Sequence, residues 1–280
     1  MKSLVTVITS SYNSAKFIEE TLLSVKSQSY SPIEHIIVDG GSTDGTLDVV
    51  KRFSNVKLIS EPDKGFGDAC NKGIKKAKGG ILNLLNADDY FYNSNSVAEA
   101  MHAFELSSWS DIVFGDVIII DEKSKIIWNG SGYGQNYSLH DLVCSKFTFP
   151  QSSVFFRKES AENVGLLDTM LRMNEEVLLW MKIATKGQVT YVPKILSYYR
   201  THKDQLTRKW RPNRKLVVDK FFEWMDMSLK RSAYEGAADF EVYKYLEYTP
   251  LLKPYRALSS MKLTKWTKAL VRTFYRWFYW

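Results

Sequence analysis

Cysteine is almost missing from this chain of 280 residues, with Cys70 and Cys144 the only two. So sparse a supply gives neither a disulfide framework nor the paired spacing of a zinc site, and it points to a reducing, cytosolic setting. Long apolar runs are also lacking: no stretch approaches the roughly 20 residues a helix needs to cross a bilayer. The opening Met1-Lys2-Ser3-Leu4-Val5-Thr6 is too short and too β-like for a secretory leader. No lysine-bearing Walker loop is present. Nor does the first apolar segment lead into the Gly-rich, Arg/Lys-bearing loop that a triphosphate-using enzyme would need there. Acidic residues are lacking in one region. Residues 250–280 carry seven Lys/Arg and no Asp or Glu, so the net charge of +7 resides there and the remaining 249 residues balance at 31 against 31. A neutral body gives no support for nucleic-acid binding, whereas a basic end points to an anionic surface met at that end.

What is there suits a folded protein. A 45% hydrophobic and 25% charged composition is that of a globular protein. The length suffices for one large domain, or a domain with an appendage. Leu4–Thr9 is a β-branched run, followed by the polar loop Ser10–Ser14, with Ser14 as N-cap of a helix over about 15–28. Ile33–Asp39 forms a second strand. Gly40–Gly45 closes it and leads into a helix ending near Phe53. A third strand spans Val56–Ser60, a turn Glu61–Gly65, a helix 66–78, and a fourth strand 81–85. Strands alternating with helices imply a mostly parallel sheet with helices on both faces.

The chemistry gathers where these strands end. Asp88-Asp89 follows the apolar run Ile81–Leu85, and in open α/β sheets ligands bind at the carboxyl ends of strands. Adjacent carboxylates repel unless a cation or a donor network holds them; a solvated turn also fits Asn86-Ala87-Asp88-Asp89. Asp39 ends its strand in the same way, either as a ligand-reading acid or as a cap on the next helix. The second half is less regular. Asp111–Ile120 and Lys125–Trp128 form a hairpin, Phe149–Phe156 a strand, and 158–163 a helix. Met173–Ala184 is an amphipathic helix with Val177, Trp180, Met181 and Ala184 on its core face. Glu175 and Glu176 sit in its first turn, where acids suit the helix dipole and where a general base can also be presented.

Four blocks, Val7–Asn13, Val38–Thr46, Glu61–Gly73 and Leu84–Tyr90, resemble in content and order the nucleotide-sugar half of family 2 glycosyltransferases. Phe149-Pro150-Gln151, Val164–Asp168, Glu175–Trp180 and Tyr199–His202 resemble that family's acceptor half. The resemblance covers about residues 1–205. It implies a GT-A fold, Rossmann-like, with 1–92 as the nucleotide-sugar half, 93–205 as the acceptor half and 206–280 as a helical C-terminal extension. It also implies an inverting transferase that moves a sugar from a nucleotide-diphosphate donor, a UDP-sugar first, to a glycan or lipid-linked acceptor. The setting would be cell-surface polysaccharide synthesis at the cytoplasmic face of the membrane. Ser10 and Tyr12 match positions that hold the nucleotide, and Asp39 the acid that reads base or ribose. Lys64 and Asp68 fall in a loop closing over the diphosphate. Asp88 and Asp89 match the metal motif, for Mg²⁺ or Mn²⁺. Glu176 falls at the base position with Glu175 as its rival, and Arg200 and His202 match a tail motif near diphosphate and metal; His202 also reads as a surface histidine.

Three positions depart from that pattern. Gly40 stands where a second acid is common, Asn86 where the metal motif starts with Asp, and Glu176 where the base is an Asp. Past about Asp204 the pattern ends. Residues 212–231 and 237–248 are expected helices. From Leu263 onward a Leu/Trp/Phe stripe faces a Lys/Arg stripe, the pattern of a helix lying in a membrane interface; docking on the catalytic domain or on a second subunit is the alternative. Other functions compatible with these features are a nucleotidyltransferase, or a catalytically silent homologue acting as a membrane-associated scaffold.

Overall fold

The structure, a computed structural model, describes residues 2–143, 147–205, 216–221 and 223–225. By its internal contacts the chain divides into two units, Met1–Phe222 and Glu223–Trp280, and only 223–225 of the second are described. Residues 216–221 and 223–225 are helical, within the helix expected over 212–231. The helix expected over 237–248, the amphipathic stretch from Leu263 and Cys144 lie outside the described residues. Among the described residues no helix is long and apolar enough to cross a membrane.

The first half follows the sequence closely. Strands β1 (Val5–Ser11), β2 (Ile33–Asp39), β3 (Val56–Ser60) and β4 (Ile81–Leu84) pair in parallel in the order β3-β2-β1-β4. Helices α1 (Ile18–Lys26), α2 (Thr46–Lys51) and α3 (Phe66–Lys76) connect them. Val5, Val7, Ile8, Ile36, Ile37, Val38 and Leu82 are all at most 1% exposed, as expected of parallel strands covered on both faces. α3 lies close on the sheet because Gly73 has no side chain: a methyl there would come within 2.4 Å of Ile8 Cγ2. Ser14 is not the N-cap of α1. Its backbone carbonyl accepts from the amides of Phe17 and Ile18, both at 3.0 Å, while its hydroxyl donates to the Tyr12 carbonyl at 3.3 Å. The helix therefore begins three residues later than a side-chain cap would place it.

Beyond β4 the sheet becomes mixed. β5 (Tyr90–Phe91) follows at once, then α4 (Ser96–Leu106), β6 (Ser110–Ile120) and β7 (Ile126–Asn129), the last two forming the expected antiparallel hairpin. α5 (Leu139–Val143), β8 (Val154–Arg157), α6 (Lys158–Asn163), α7 (Glu175–Lys186) and β9 (Gln188–Arg200) complete the unit. β8 runs antiparallel to both β4 and β6, and β9 lies between β6 and β5, giving a nine-stranded sheet among the described residues.

β9 is the longest strand and the sequence reading did not anticipate it, nor α4 or β5. Its register against β6 shifts between Gly115 and Asp116, which pair with Val192 and Ile195. Pro193 and Lys194 are the extra residues, and a proline without an amide is tolerated at such a bulge. The bulge closes over Gly115, where a methyl would lie 2.6 Å from Leu196 Cγ. α7 is buried around most of its circumference, with Leu178 to Ala184 all covered and Val177 only partly so, so no single stripe describes it. Trp180 is fully buried against Phe156, ring centroids 4.9 Å apart at 65°.

Candidate active site

Strand order alone aligns three polar loops along one edge. The carboxyl ends of β2, β1 and β4 are neighbours, so Asp39, Ser10-Ser11 and the turn Asn86–Asp89 follow one another across the sheet. The loops are stitched together. The Gly40 amide donates to the Ser11 carbonyl at 2.9 Å. Asn13 donates its amide to Ser42 Oγ at 2.8 Å and accepts the Thr43 amide on Oδ1 at 2.9 Å. Ser10 is half-buried, and Tyr12 holds its ring out, 66% exposed.

The two acids of the pair have different surroundings. Asp89 is fully buried, and its Oδ1 accepts the Arg200 backbone amide at 2.9 Å. Burial and the neighbouring Asp88 charge push its carboxyl well above the usual range, against the pull of that amide, Asn86 and the Arg200 charge. Thr21 of α1 donates its hydroxyl to the carbonyls of Ala87, at 3.0 Å, and Asp89, at 2.7 Å, pinning the turn from below. Asp88 stays accessible, with 19% of its side chain exposed, and its Oδ2 lies 2.9 Å from His202 Nε2. Gln205 Nε2 donates to the same oxygen at 3.2 Å. The His202 ring packs on Phe17, centroids 4.8 Å apart. Asn86, in place of an Asp, donates to Asp89 Oδ2 at 3.3 Å and accepts Gln151 Nε2 on its own Oδ1 at 3.1 Å.

Arg200 is 1% exposed and does not open toward this edge. Its Nη2 meets Glu20 Oε2 at 2.6 Å, its Nε donates to the Asp88 carbonyl at 3.2 Å, and its Nη1 to Ser124 Oγ at 3.0 Å. It lies over Phe17 and Tyr90, 4.8 and 5.5 Å from the ring centroids. The guanidinium is thus a buried strut behind the acidic turn.

Asp39 is likewise fully buried. Its Oδ2 accepts the amides of Gly41 at 3.0 Å and Ser42 at 2.9 Å and the Ser60 hydroxyl at 3.2 Å, while Ser42 Oγ donates to its Oδ1. Four donors nearly saturate a carboxylate. Beside it, the volume that a side chain at Gly40 would fill is taken by Asp63: a methyl on Gly40 would lie 2.5 Å from Asp63 Oδ2. Asp63 Oδ1 accepts the Gly65 amide at 2.8 Å, and burial, Asp68 and Asp39 raise its carboxyl against the pull of that amide and of Lys72. Lys64 is exposed. Asp68 accepts the Lys64 amide at 3.1 Å and meets Lys72 Nζ at 3.5 Å, a local tie at the start of α3. Gly65, at φ +114° and ψ −174°, makes the entry to that helix in a conformation open to glycine alone.

Across from these loops, Asn174 turns the chain at φ 60° into α7, and the two glutamates follow. Glu175 is 3% exposed and Glu176 half-buried. Burial, and secondarily the Glu175 charge, push the Glu176 carboxyl up to about 7. Glu175 is raised as well, mainly by burial. The sulfur of buried Cys70 on α3 lies within electrostatic reach of Glu175, Glu176 and Asp63, so Asp63 and the α7 glutamates share one neighbourhood.

The glycosyl transferase family 2 profile matches residues 6–165. The chain belongs to that family. An uncharacterized glycosyltransferase of Nostoc is 29% identical over 211 residues, 71% of this chain and 65% of its own length. A PGL/p-HBAD biosynthesis glycosyltransferase of Mycobacterium tuberculosis is 30% identical over 164 residues, 57% of this chain and 61% of its own. The chain therefore spans less than two thirds of the length of these relatives. Among solved structures, TarS 1–349 of S. aureus in complex with UDP-GlcNAc superposes at a TM-score of 0.61, with 21% identity over 72% of this chain and 59% of that one. The mannosyltransferase PcManGT of Pyrobaculum calidifontis, with GDP-Man and Mn²⁺, gives 0.58, with 20% identity over 93% and 84%. The fold is of the GT-A type.

Within this member of family 2, Asp88 Oδ2 and His202 Nε2 come together from positions 114 apart in sequence. Sequence reasoning missed Asp63, which occupies the space left by Gly40, and Gln205 and Gln151, which hold Asp88 and Asn86. The motif Glu61-Pro62-Asp63-Lys64-Gly65 contained the first of these, but which of its charged residues turns toward β2 is a matter of backbone path.

Proposed function

We propose that this protein is an inverting, metal-dependent glycosyltransferase using a nucleotide-diphosphate sugar, UDP-linked first, and a hydroxyl of a glycan or lipid-linked acceptor. The observation that carries this reading is Glu176, a half-buried carboxylate raised to about 7 at the start of α7. A base is most effective when its pKa is near the working pH. One such base, removing the acceptor proton as the new bond forms at the sugar's anomeric carbon and the nucleoside diphosphate leaves from the opposite side, gives inversion. Tyr12 and Asp63, with Ser10 beside them, supply an aromatic face and a carboxylate for the nucleoside.

The residues present fit a divalent cation. Among the described residues no three His, Cys, Asp or Glu side chains are grouped to hold a metal alone. Two ligands at right angles on an ion with bonds of roughly 2.1 Å lie roughly 3 Å apart, and Asp88 Oδ2 and His202 Nε2 are 2.9 Å apart. Mg²⁺ or Mn²⁺ held there would take its remaining ligands from diphosphate and water, and it would supply the positive charge that lets the diphosphate leave. Gln205 and the buried Asp89–Arg200 tie keep the pair in place.

The test is calorimetric titration of UDP, GDP and dTDP, each with and without Mn²⁺, for wild type and Asp88→Asn. One nucleotide should bind, tenfold or more tightly with Mn²⁺, and the substitution should remove that enhancement. Binding of none, or metal enhancement unchanged in Asp88→Asn, refutes the reading.

A further inference from the structure

The two adjacent glutamates of α7 are held differently, and that difference assigns them separate work. Glu175 points back onto the first turn of α3. Its carboxylate accepts the backbone amide of Gly67, and it packs so tightly that a methyl on Gly67 would lie 3.2 Å from its Cγ and 3.3 Å from its Oε1. Gly67 directly continues the loop Glu61–Gly65 that carries Asp63 and Lys64 on the donor side. At 3% exposure Glu175 has no open face for an acceptor.

We infer that Glu175 is a positioning residue, whose carboxylate, latched to the Gly67 amide, sets the distance and orientation of Glu176 relative to the donor loop. The inference rests on the transferase reading with Glu176 as base. Gly67 sits in the first turn of α3, where amides lack intrahelical partners, so an acceptor from elsewhere is needed; Glu175 supplies it. The left-handed Asn174 fixes the angle at which α7 leaves the preceding loop, so the latch and the turn together leave the first turn of α7 little freedom. Finally, reorienting a reacting group by about 1 Å can cost on the order of 100-fold in rate, so a latch one residue from the base is a sensitive place to set geometry.

The latch also carries charge. Glu176 feels the charge of Glu175 on its own helix, Cys70 of α3 feels Glu175, Glu176 and Asp63, and Glu175 in turn feels Asp168. Neutralising Glu175 removes the nearest negative charge from Glu176. The acid limb of the activity profile, set by protonation of the base, then moves to lower pH.

The experiment follows nucleotide release from UDP-GlcNAc with Mn²⁺ in the full chain, as kcat and KM across pH 5–9, for wild type, Glu175→Gln, Glu176→Gln and Gly67→Ala. Glu175→Gln, which keeps the shape but replaces the charged acceptor of the Gly67 amide with a weaker neutral one, should lower kcat roughly tenfold with KM within about twofold, and should shift the acid limb down by a few tenths of a pH unit or more. Gly67→Ala, which displaces the latch without changing charge, should lower kcat and leave the acid limb in place. The assignment is overturned by Glu175→Gln matching wild type in rate and pH profile, or by Glu175→Gln abolishing turnover while Glu176→Gln retains it, which makes Glu175 the base. A purely structural role would lower the melting temperature without moving the acid limb, and that result also refutes it. Absence of nucleotide release from UDP-GlcNAc and from GDP-mannose in wild type itself would instead refute the transferase reading.

Discussion

Replacing Glu176 by Gln should make the protein more stable at pH 8, not less, and the structure sets the size of the effect. A carboxyl displaced from 4.5 to about 7 corresponds to about 3 kcal/mol, since each pH unit of displacement is worth about 1.4 kcal/mol. Glu176 is only half-buried, so screening by solvent reduces the measurable effect to about 2 kcal/mol. The direction follows from which state holds the proton more tightly. The folded state does, so below pH 4 both states are protonated and there is no penalty. As pH rises from the unfolded value through 7 the folded chain must carry a charge its surroundings disfavour, and stability falls. Gln has nothing to ionise and escapes that penalty. Urea denaturation of wild type and Glu176→Gln at several pH values between 4 and 8.5 measures the difference directly. The two should coincide at the acid end and separate by about 2 kcal/mol at pH 8, or roughly 4–8 °C in Tm for a domain of this size. A pH-independent difference, or a mutant less stable at pH 8, would refute the burial argument. The same mutant should lose nucleotide release from a sugar donor, a trade of stability for function common at active sites.

Two other substitutions probe the supports of the site. Arg200→Met removes a buried guanidinium that ties Glu20, the Asp88 carbonyl and Ser124 together; loss of about 3 kcal/mol is expected, read as a lower urea midpoint with unchanged slope, and a loss under 1 kcal/mol would show the strut to be dispensable. Gly40→Asp places a second carboxylate where Asp63 already lies. It should cost about 1–3 kcal/mol by crowding and like charge and weaken nucleotide binding, with partial recovery in Gly40→Asp/Asp63→Gly; a single mutant that binds and melts like wild type would place Asp63 elsewhere.

The sequence by itself determined the parallel half of the fold. The runs Val5–Ile8, Ile36–Val38 and Ile81–Leu85 are apolar save for Thr6 and Asn83 and are flanked by glycine-rich or polar turns, so composition and punctuation agree, and the carboxyl-end acids Asp39 and Asp88 follow from strand direction. It also determined the family, because eight short blocks in a fixed order are a pattern no single block carries. The tertiary structure alone decided the rest. β9 was hidden by Pro193 and Lys194, whose bulge interrupts the two-residue period that marks a strand. The assignments of neighbouring acids were hidden for a related reason. Asp88 and Asp89, Glu175 and Glu176, and Asp39 and Asp63 are chemically equivalent in sequence. They diverge only when backbone amides, those of distant Arg200 and Gly67 and of nearby Gly41 and Ser42, take up one carboxylate of each pair and leave the other partly accessible. Which acid is consumed by the scaffold and which remains for chemistry is a question of where unpaired amides fall in space, and that is set by packing between elements far apart in the chain.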